Sequence, residues 1–340
     1  MSLKRSKMSA AISRRDLLLS GAAALALAGC GQQSASRRMV HVATTAGVNL
    51  TMWELLKQQK FLESFDVPAD VVAMADGSKI LGGIYSGSVD IAPMSGFSQV
   101  FPAIERGADI RIINAAALVP MLALYSGKDN VHSLQDIAGK VVGVGSLGAL
   151  DHQLTVTLLK KYSVDVASVR FVNIGSNIDV FKGVIAGTVD AGVGPASYYD
   201  DAASYNVHAI PNGNMSVELP QFTYQAGWTS NRVIEAKRDL LVRVLAAYAR
   251  LFRFVEQPSA MDAFLKARKT IFPRAPEREH MNEWNFLQTA KPFATGLLLS
   301  PERVQYIQQT NLDFKVQKTM LPFERVADMS LAHDALKLLS

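Results

Sequence analysis

The sequence predicts an α/β protein of two lobes, each a mainly parallel sheet flanked by helices, with a hinge between the lobes and a helical C-terminal region. Three observations predict this fold class. Short β-branched runs alternate with helix-length patterns from residue 39, the alternation starts again near residue 133, and residues 232–340 have mostly helical patterns. The chain has 340 residues, of which 49% are hydrophobic, and this length is sufficient for two separate cores.

The first lobe begins with four predicted strands separated by helices. Each strand is a short run rich in β-branched and small apolar residues, and each helix has apolar residues at helical spacing. The predicted strands are residues 39–44, 67–74, 89–93 and 110–117. The predicted helices are residues 51–60, 76–85 and 95–105. Strands that alternate with helices in this way become neighbours in a mainly parallel sheet.

The second lobe repeats this alternation. Its predicted strands are residues 140–144, 169–174, 190–193 and 207–210. Its predicted helices are residues 150–162 and 178–186, and a further helix opens at residues 196–198. An extended run at residues 222–228 is interpreted as the return of the chain to the first lobe.

Two connections, residues 121–126 and 222–228, are predicted to cross between the lobes and to form a hinge that lets them close around a ligand. Lobe 1 is expected to comprise residues 39–122 and 227–340, and lobe 2 residues 123–226. The C-terminal helices are expected to pack on the first lobe. These predicted helices are residues 232–256, 259–271, 277–287, 301–311 and 322–339.

An internal repeat supports the two-lobe interpretation. Residues 83–90 align with residues 183–190 at an offset of 100, and two glycines, a valine and an aspartate are identical in the two segments. Gly87 and Gly187 are predicted to be left-handed residues at helix C-termini. The valine that follows each of them is predicted to begin a strand.

Residues 1–29 are predicted to be a signal peptide. Five basic residues precede an apolar run at residues 17–28, which is too short to span a bilayer as a helix. Residues 13–18 resemble a twin-arginine export signal. Residues 27–30 resemble a lipobox, the cleavage site of bacterial lipoproteins, and this resemblance predicts lipidation of Cys30.

After signal removal, residues 30–38 are expected to form a lipidated polar tether. The protein is then located in the periplasm or at the outer face of the cell membrane, and the lipid is its only attachment to that membrane. The formal net charge is +5, of which residues 1–29 contribute +4 through five basic residues and one acid. The remainder is nearly neutral, so no nucleic-acid partner is expected. Cys30 is the only cysteine, which excludes an intramolecular disulfide. A monomer is expected.

A glycine-rich turn follows the predicted strand at residues 140–144. Gly143, Gly145 and Gly148 match the G-x-G-x-x-G pattern, but a dinucleotide site also needs an acidic residue after the next strand, where residues 175–177 are Gly-Ser-Asn. A Walker A motif is absent. Two alternatives remain: a structural turn, or a site where backbone N–H groups at a helix N-terminus hold a polar ligand group.

These motifs together resemble periplasmic solute-binding proteins of ABC importers of the nitrate/sulfonate/taurine type. The resemblance is carried by residues 134–144, by Ser146, Leu147 and Gly148 after them, and by the paired Gly-Ser/Thr-Val-Asp units. It implies the two-lobed type 2 periplasmic-binding fold. It also implies a small-molecule ligand, and an ABC permease and its ATPase in the inner membrane as partners.

The candidate ligand-binding residues lie where predicted strands end and helices begin, because ligands of open α/β sheets bind at the carboxyl ends of the strands. These loops are rich in hydroxyl groups and glycine and contain no Lys or Arg, so a small polar or weakly anionic organic ligand is expected. Tyr198 and Trp228 are candidates to cover an apolar part of it, although core packing is an equal alternative for Trp228. The candidates are Thr44, Thr45, Ser95, Gly96, Ser146, Leu147, Gly148, Ala149, Pro195 and Tyr198.

The sequence predicts neither a catalytic site nor a metal or other cofactor. No two histidines have metal-ligand spacing. Ser146, Asp151 and His152 include the residue types of a hydrolase triad, but the G-x-S-x-G turn is missing, and neighbouring residues on a helix point in different directions. Relatives that make a thiamine pyrimidine precursor have a cysteine-rich pattern that this chain lacks. The alternatives to transport are a ligand-sensing lipoprotein that signals to a membrane partner and, less favoured, a hydrolase.

Overall fold

The computed structural model describes residues 39–339, and the predicted signal peptide, Cys30 and most of the tether lie outside them. The described chain contains two five-stranded sheets. Their strands are β1 (Val40–Thr44), β2 (Ala69–Ala73), β3 (Ile91–Ser95), β4 (Ile110–Ala117), β5 (Leu122–Ser126), β6 (Val141–Val144), β7 (Arg170–Asn173), β8 (Ala191–Pro195), β9 (His208–Asn214) and β10 (Gln225–Ser230).

The helices lie between the strands and after the last of them. They are α1 (Val48–Gln58), α2 (Gly77–Ser86), α3 (Val100–Glu105), α4 (Leu150–Lys161), α5 (Asn177–Ile185), α6 (Met215–Glu218), α7 (Asn231–Val255), α8 (Met261–Ile271), α9 (Glu277–Ala290), α10 (Pro301–Asp313), α11 (Phe323–Val326) and α12 (Ser330–Lys337). The helix predicted at residues 196–198 is a 3-10 helix, Ala196–Tyr205. None of the helices within residues 39–339 has the length and hydrophobicity that crossing a membrane requires.

The two sheets have the same topology. The first has the order β2-β1-β3-β10-β4, and the second has the order β7-β6-β8-β5-β9. In each sheet the fourth strand is antiparallel to both of its neighbours. That strand follows a connection from the other sheet, so the chain crosses twice. The predicted fold class is confirmed; the exact lobe boundaries stay a prediction.

The residues at the offset of 100 have equivalent roles in the two sheets. Asp90 Oδ2 accepts a hydrogen bond from the backbone N–H of His41, and Asp190 Oδ2 accepts one from that of Val141. The backbone N–H groups of the two aspartates donate in return to the carbonyl oxygens of His41 and Val141. Asp90 therefore fixes the start of β3 to β1, and Asp190 fixes the start of β8 to β6.

The strands that cross between the sheets, β10 and β5, also make equivalent hydrogen bonds to the two aspartates. The Thr229 hydroxyl on β10 donates to the carbonyl oxygen of Asp90, and the Ser126 hydroxyl on β5 donates to that of Asp190. Gly87 and Gly187 have φ angles of 76° and 68° and end helices α2 and α5, as the sequence predicts. A left-handed residue at this place lets the chain leave the helix and enter the next strand.

The C-terminal helices contact both lobes, so the expectation that they pack on the first lobe is only partly correct. Helix α8 packs on α1, whereas α9 packs on α8 and on the 3-10 helix Ala196–Tyr205 of the second lobe. Near the end of α10, Asn311 accepts a hydrogen bond of 2.7 Å from Gln153 on α4. Trp228 is fully buried in the core, so the ligand-covering role considered for it is wrong.

We expect opposite effects from alanine at two glycines of the repeat region. Gly187→Ala should lower the free energy of unfolding by about 1–2 kcal/mol, because its φ of 68° is unfavourable for a residue with a Cβ. Gly82→Ala is the matched control: Gly82 lies inside α2 with open space around a Cβ, so alanine should stabilise by about 0.5–1 kcal/mol. Chemical denaturation measures the free energy of unfolding of both variants. A stabilised Gly187→Ala variant would contradict the left-handed conformation assigned to Gly187.

Candidate ligand-binding cleft

A cleft lies between the two sheets, at the carboxyl ends of their parallel strands and the N-termini of helices α1, α2, α4 and α5. It has two adjoining chambers, with cavity volumes of about 80 and 140 Å³. The first chamber is lined by Ala75, Asp76, Gly77, Gly96, Gln99, Gly145, Ser146, Ala149, Leu150, Asp151, Gly175 and Ser176. The second chamber is lined by Gly47, Val48, Asn49, Met121, Ile178, Pro195, Tyr198, Arg268, Phe272, Glu279 and Glu283. Both share Thr45, Ala46, Asn177, Tyr224 and Gln225.

A hydrogen bond joins the two lobes across the first chamber. The Ser146 hydroxyl, in the turn after β6, donates to Asp76 Oδ2 at 2.7 Å. The other carboxylate oxygen, Asp76 Oδ1, accepts from the backbone N–H groups of Ser78 and Lys79 and so caps α2. Because Asp76 is fixed by its own helix, it gives the Ser146 turn a defined position on the opposite side of the chamber.

The second carboxyl group of this chamber, Asp151, is in the first turn of α4. Its carboxylate oxygens make no hydrogen bond or ion pair with any residue from 39 to 339, and only its backbone carbonyl accepts from a side chain, the Thr155 hydroxyl. Burial, together with a smaller contribution from the nearby Asp76 carboxylate, raises the pKa of Asp151 to about 7. A Cβ at position 145 would lie 3.2 Å from Oδ2, so Gly145 leaves space for this carboxyl group. Asp151 is therefore available to a ligand, with a charge that changes near neutral pH.

In the second chamber, Arg268 is a buried cation with one unsatisfied donor. Its side chain is 4% exposed, and its Nη2 lies 3.6 Å from Glu283 Oε2. The guanidinium group is 5.0 Å from the centre of the Phe272 ring. Its Nε–H has no hydrogen-bond partner within the described chain. The neighbouring ion pair and ring hold the group in place.

The second lobe reaches this chamber through two hydroxyl groups that donate to the glutamates of α9. The Ser197 hydroxyl donates to Glu283 at 3.2 Å, and the Tyr198 hydroxyl donates to Glu279 at 3.1 Å. Burial raises the pKa of Tyr198 well above its ordinary value, and the two glutamates raise it further. Tyr198 therefore remains a neutral hydrogen-bond donor.

The wall shared by the chambers also has an unsatisfied polar group. Gln225, the first residue of β10, is 5% exposed, and its Oε1 has no partner within residues 39–339. Its neighbour Tyr224 is also 5% exposed. Burial raises the pKa of the Tyr224 hydroxyl, and the Asp151 carboxylate raises it further. The shared wall thus presents an amide and a neutral phenol to both chambers.

Comparison with known proteins identifies the family. The family model described as NMT1/THI5 like matches residues 57–258. The chain belongs to this family. The match includes every lining residue of the first chamber except Thr45 and Ala46, which precede it, and it ends before Arg268 and the two glutamates of α9. No curated protein sequence matches the chain.

Three solved structures show that this NMT1/THI5-like chain has the two-lobed periplasmic-binding fold. The alkanesulfonate-binding protein from Xanthomonas axonopodis pv. citri bound to MOPS is 18% identical, covers 88% of this chain and 97% of its own, and has a TM-score of 0.68. The periplasmic nitrate-binding protein from Synechocystis PCC 6803 is 9% identical, with 89% of each chain covered and a TM-score of 0.66. A desulfurization enzyme is 11% identical, with 89% and 99% covered and a TM-score of 0.59. The predicted resemblance is confirmed for family and fold.

The NMT1/THI5-like cleft includes most of the residues that the sequence selects. Those that line it are Thr45, Gly96, Ser146, Ala149, Pro195 and Tyr198. Thr44 and Ser95 are instead buried at strand ends, and Leu147 is 60% exposed to solvent. Gly148 lies outside the lining of both chambers, where a Cβ would be 4.0 Å from Val316. That the lining residues bind a ligand stays a prediction.

In the turn after β6, two of the backbone N–H groups that could hold a polar ligand group already have partners. The N–H of Gly148 donates to His152 Nδ1 at 3.0 Å, and the N–H of Ala149 donates to the carbonyl oxygen of Ser146 at 2.9 Å. Gly148 has a φ of 79°, which explains a glycine there on structural grounds. These two N–H groups are therefore not directed at a ligand, and the Ser146 hydroxyl is the turn's polar contribution to the chamber.

Sequence reasoning missed the charged residues of the cleft. Asp76 follows β2 and begins a helix, so the rule that ligands bind at strand ends could have selected it. Asp151 was considered only as part of a triad. Arg268, Glu279 and Glu283 lie within C-terminal helices and belong to no motif, so nothing in the sequence connects them with the strand-end loops.

Proposed function

We propose that the protein is an exported, lipid-anchored solute-binding protein that captures a small molecule between its lobes and delivers it, as a monomer, to an ABC permease. The supporting observation is a group of polar atoms without hydrogen-bond partners in the described chain, gathered around the cleft: the Asp151 carboxyl group, the Gln225 Oε1 and the Arg268 Nε–H. A buried polar group without a hydrogen-bond partner costs about 1–3 kcal/mol. Such groups gathered around one cavity are complementary to a polar ligand rather than to a packed interface.

The charges of the first chamber favour a ligand with a protonated amine. Asp76 and Asp151 line it together with the Ser146 hydroxyl, and its lining contains no Lys or Arg. A weakly anionic ligand group, one of the two expectations from the sequence, would meet two carboxyl groups there. An ammonium group would instead donate hydrogen bonds to both, and it would give Asp151 its missing partner.

Binding is favoured over catalysis by the hydrogen bonds that the potential triad residues already make. Ser146 donates to Asp76, whose carboxylate already accepts two backbone N–H groups. His152 Nδ1 accepts from Gly148, and its ring packs at 4.6 Å from Phe171. No group of three potential metal ligands occurs within residues 39–339. The binding-protein neighbours and the resemblance to importer components support delivery to a permease; the enzyme neighbour is the reason to test the assignment directly.

We expect pentylamine to bind in the first chamber with an affinity that rises from pH 5 to pH 8. The pKa of Asp151 is about 7, so its carboxyl group is largely protonated at pH 5 and ionised at pH 8. A charge-assisted hydrogen bond contributes about 1.5–3 kcal/mol, so Asp151→Asn should weaken binding by roughly tenfold or more at pH 8. At pH 5 the two proteins should bind almost equally. Isothermal titration calorimetry at both pH values measures this.

Asp70→Asn is the matched control, because Asp70 lies on β2 and pairs with His41 outside the cleft. It should leave pentylamine affinity unchanged. A folded wild-type protein that binds pentylamine no better than the Asp151→Asn variant at pH 8 would contradict an amine site at Asp151.

We expect Cys30→Ala to release the protein from membranes. Cys30 is the only cysteine and stands at the proposed lipidation site, so without it no thiol can carry the lipid. Cell fractionation followed by immunoblotting should show the variant in the soluble periplasmic fraction and the wild type in the membrane fraction. Ser34→Ala, in the tether, is the control and should remain with the membrane. A variant at Cys30 that still sediments with membranes after a high-salt wash would refute the lipid anchor.

A further inference from the structure

We propose that the second chamber is a subsite for a neutral carboxamide-type group, so that the ligand is a molecule with an amine at one end and an amide at the other. This inference rests on the proposed function and extends it. It stands on one juxtaposition: Arg268 with an unpartnered Nε–H and Gln225 with an unpartnered side-chain amide line the same chamber.

Arg268 supplies a donor that requires an acceptor. It is 4% exposed, and its contacts with Glu283 and Phe272 hold the guanidinium group in place. The Nε–H therefore cannot turn to solvent without breaking these contacts. A carbonyl oxygen of the ligand would satisfy it, and a hydrogen bond to a charged donor is stronger than one between neutral groups.

Gln225 supplies the complementary group. Its amide makes no hydrogen bond within residues 39–339, and its Oε1 is buried. An amide can accept through its oxygen and donate through its nitrogen, so it pairs best with a group that does both. A primary carboxamide has a carbonyl oxygen and an N–H₂ group on one carbon. It can accept from Arg268 while it exchanges hydrogen bonds with Gln225.

The charges of the second chamber disfavour the two charged alternatives. A carboxylate on the ligand would add a negative charge beside Glu279 and Glu283, against Arg268 as the one cation in the lining. The two glutamates already accept from Ser197 and Tyr198, and an ammonium group has no acceptor, so it would face the buried guanidinium group and leave its Nε–H unsatisfied. A neutral group with both a donor and an acceptor avoids both penalties.

The two chambers can hold the ends of one molecule because they share a wall. Tyr224 and Gln225 line both chambers, as does Thr45 at the end of β1. Met121, Ile178 and Phe272 give the second chamber apolar surface that suits a methylene chain. A short aliphatic linker can therefore connect the amine near Asp151 with the amide near Arg268.

The test compares four probes that share a five-carbon chain. They are pentylamine, 5-aminopentanamide, 5-aminopentanoate and pentane-1,5-diamine. In isothermal titration calorimetry at pH 8, we expect 5-aminopentanamide to bind the wild type roughly tenfold tighter than pentylamine, because it gains hydrogen bonds to Arg268 and Gln225. The acid and the diamine should not show this gain.

Two conservative variants, in different secondary-structure elements, test which side chains cause the tighter binding of 5-aminopentanamide. Arg268→Lys, on α8, keeps a cation beside Glu283 but loses the fixed Nε–H, and Gln225→Met, on β10, keeps the side-chain size but loses the amide. Each should remove most of the advantage of 5-aminopentanamide, measured as the ratio of its affinity to that of pentylamine in the same variant. Arg303→Lys, outside both chambers, is the matched control and should keep the advantage. Thermal melts confirm that each titrated protein is folded.

The outcomes separate the subsite from the proposed function. If the wild type binds pentylamine and the amide equally, or if both variants retain the advantage, the subsite is refuted while amine binding still supports a solute-binding role. If the acid or the diamine binds tightest, the chamber recognises a charged group and the carboxamide assignment is wrong. If the folded wild type binds none of the probes, the subsite and the amine-binding function are both contradicted.

Discussion

One aspartate in each lobe fixes the strands that form the cleft. The Asp90 and Asp190 carboxylates accept hydrogen bonds from backbone N–H groups of β1 and β6, respectively. Their carbonyl oxygens accept hydroxyl hydrogen bonds from the crossing strands β10 and β5. This arrangement sets the position of three adjacent strands relative to one another. Since parallel strands that start together also end together, their carboxyl ends form one edge of each sheet. The cleft lies where these two edges face each other.

The C-terminal helices add charged side chains to the cleft that the strand-end loops form. Loops at the strand ends supply hydroxyl groups, glycines and the carboxyl groups of Asp76 and Asp151. Helices α8 and α9 add Arg268 and two glutamates, and hydroxyl groups of the second lobe bind these glutamates. The first chamber is consequently acidic, while the second contains both charges. This difference underlies the proposal that the two ends of the ligand differ.

The sequence predicts the scaffold better than the chemistry of the site. Strands and glycine caps follow from local patterns, and the offset of 100 between Gly87 and Gly187 reveals the duplicated lobe without any knowledge of contacts. Thr44 and Ser95 lie outside the chamber linings because a strand end alternates between buried and exposed positions, so a shift of one residue buries a hydroxyl group. Arg268 could not be predicted, because its helix shows only an amphipathic pattern, and its place in the cleft depends on how α8 and α9 pack.

The central claim is that the lobes close around a ligand that satisfies the unpartnered groups of the cleft. Without ligand, closure buries the Asp151 carboxyl group, the Gln225 amide and the Arg268 Nε–H without hydrogen-bond partners, so the open state with these groups hydrated is favoured. Small-angle X-ray scattering of the purified protein with and without saturating 5-aminopentanamide tests this most directly. A smaller radius of gyration is expected with ligand than without it. An unchanged scattering profile, at a concentration where calorimetry shows full occupancy, would contradict it.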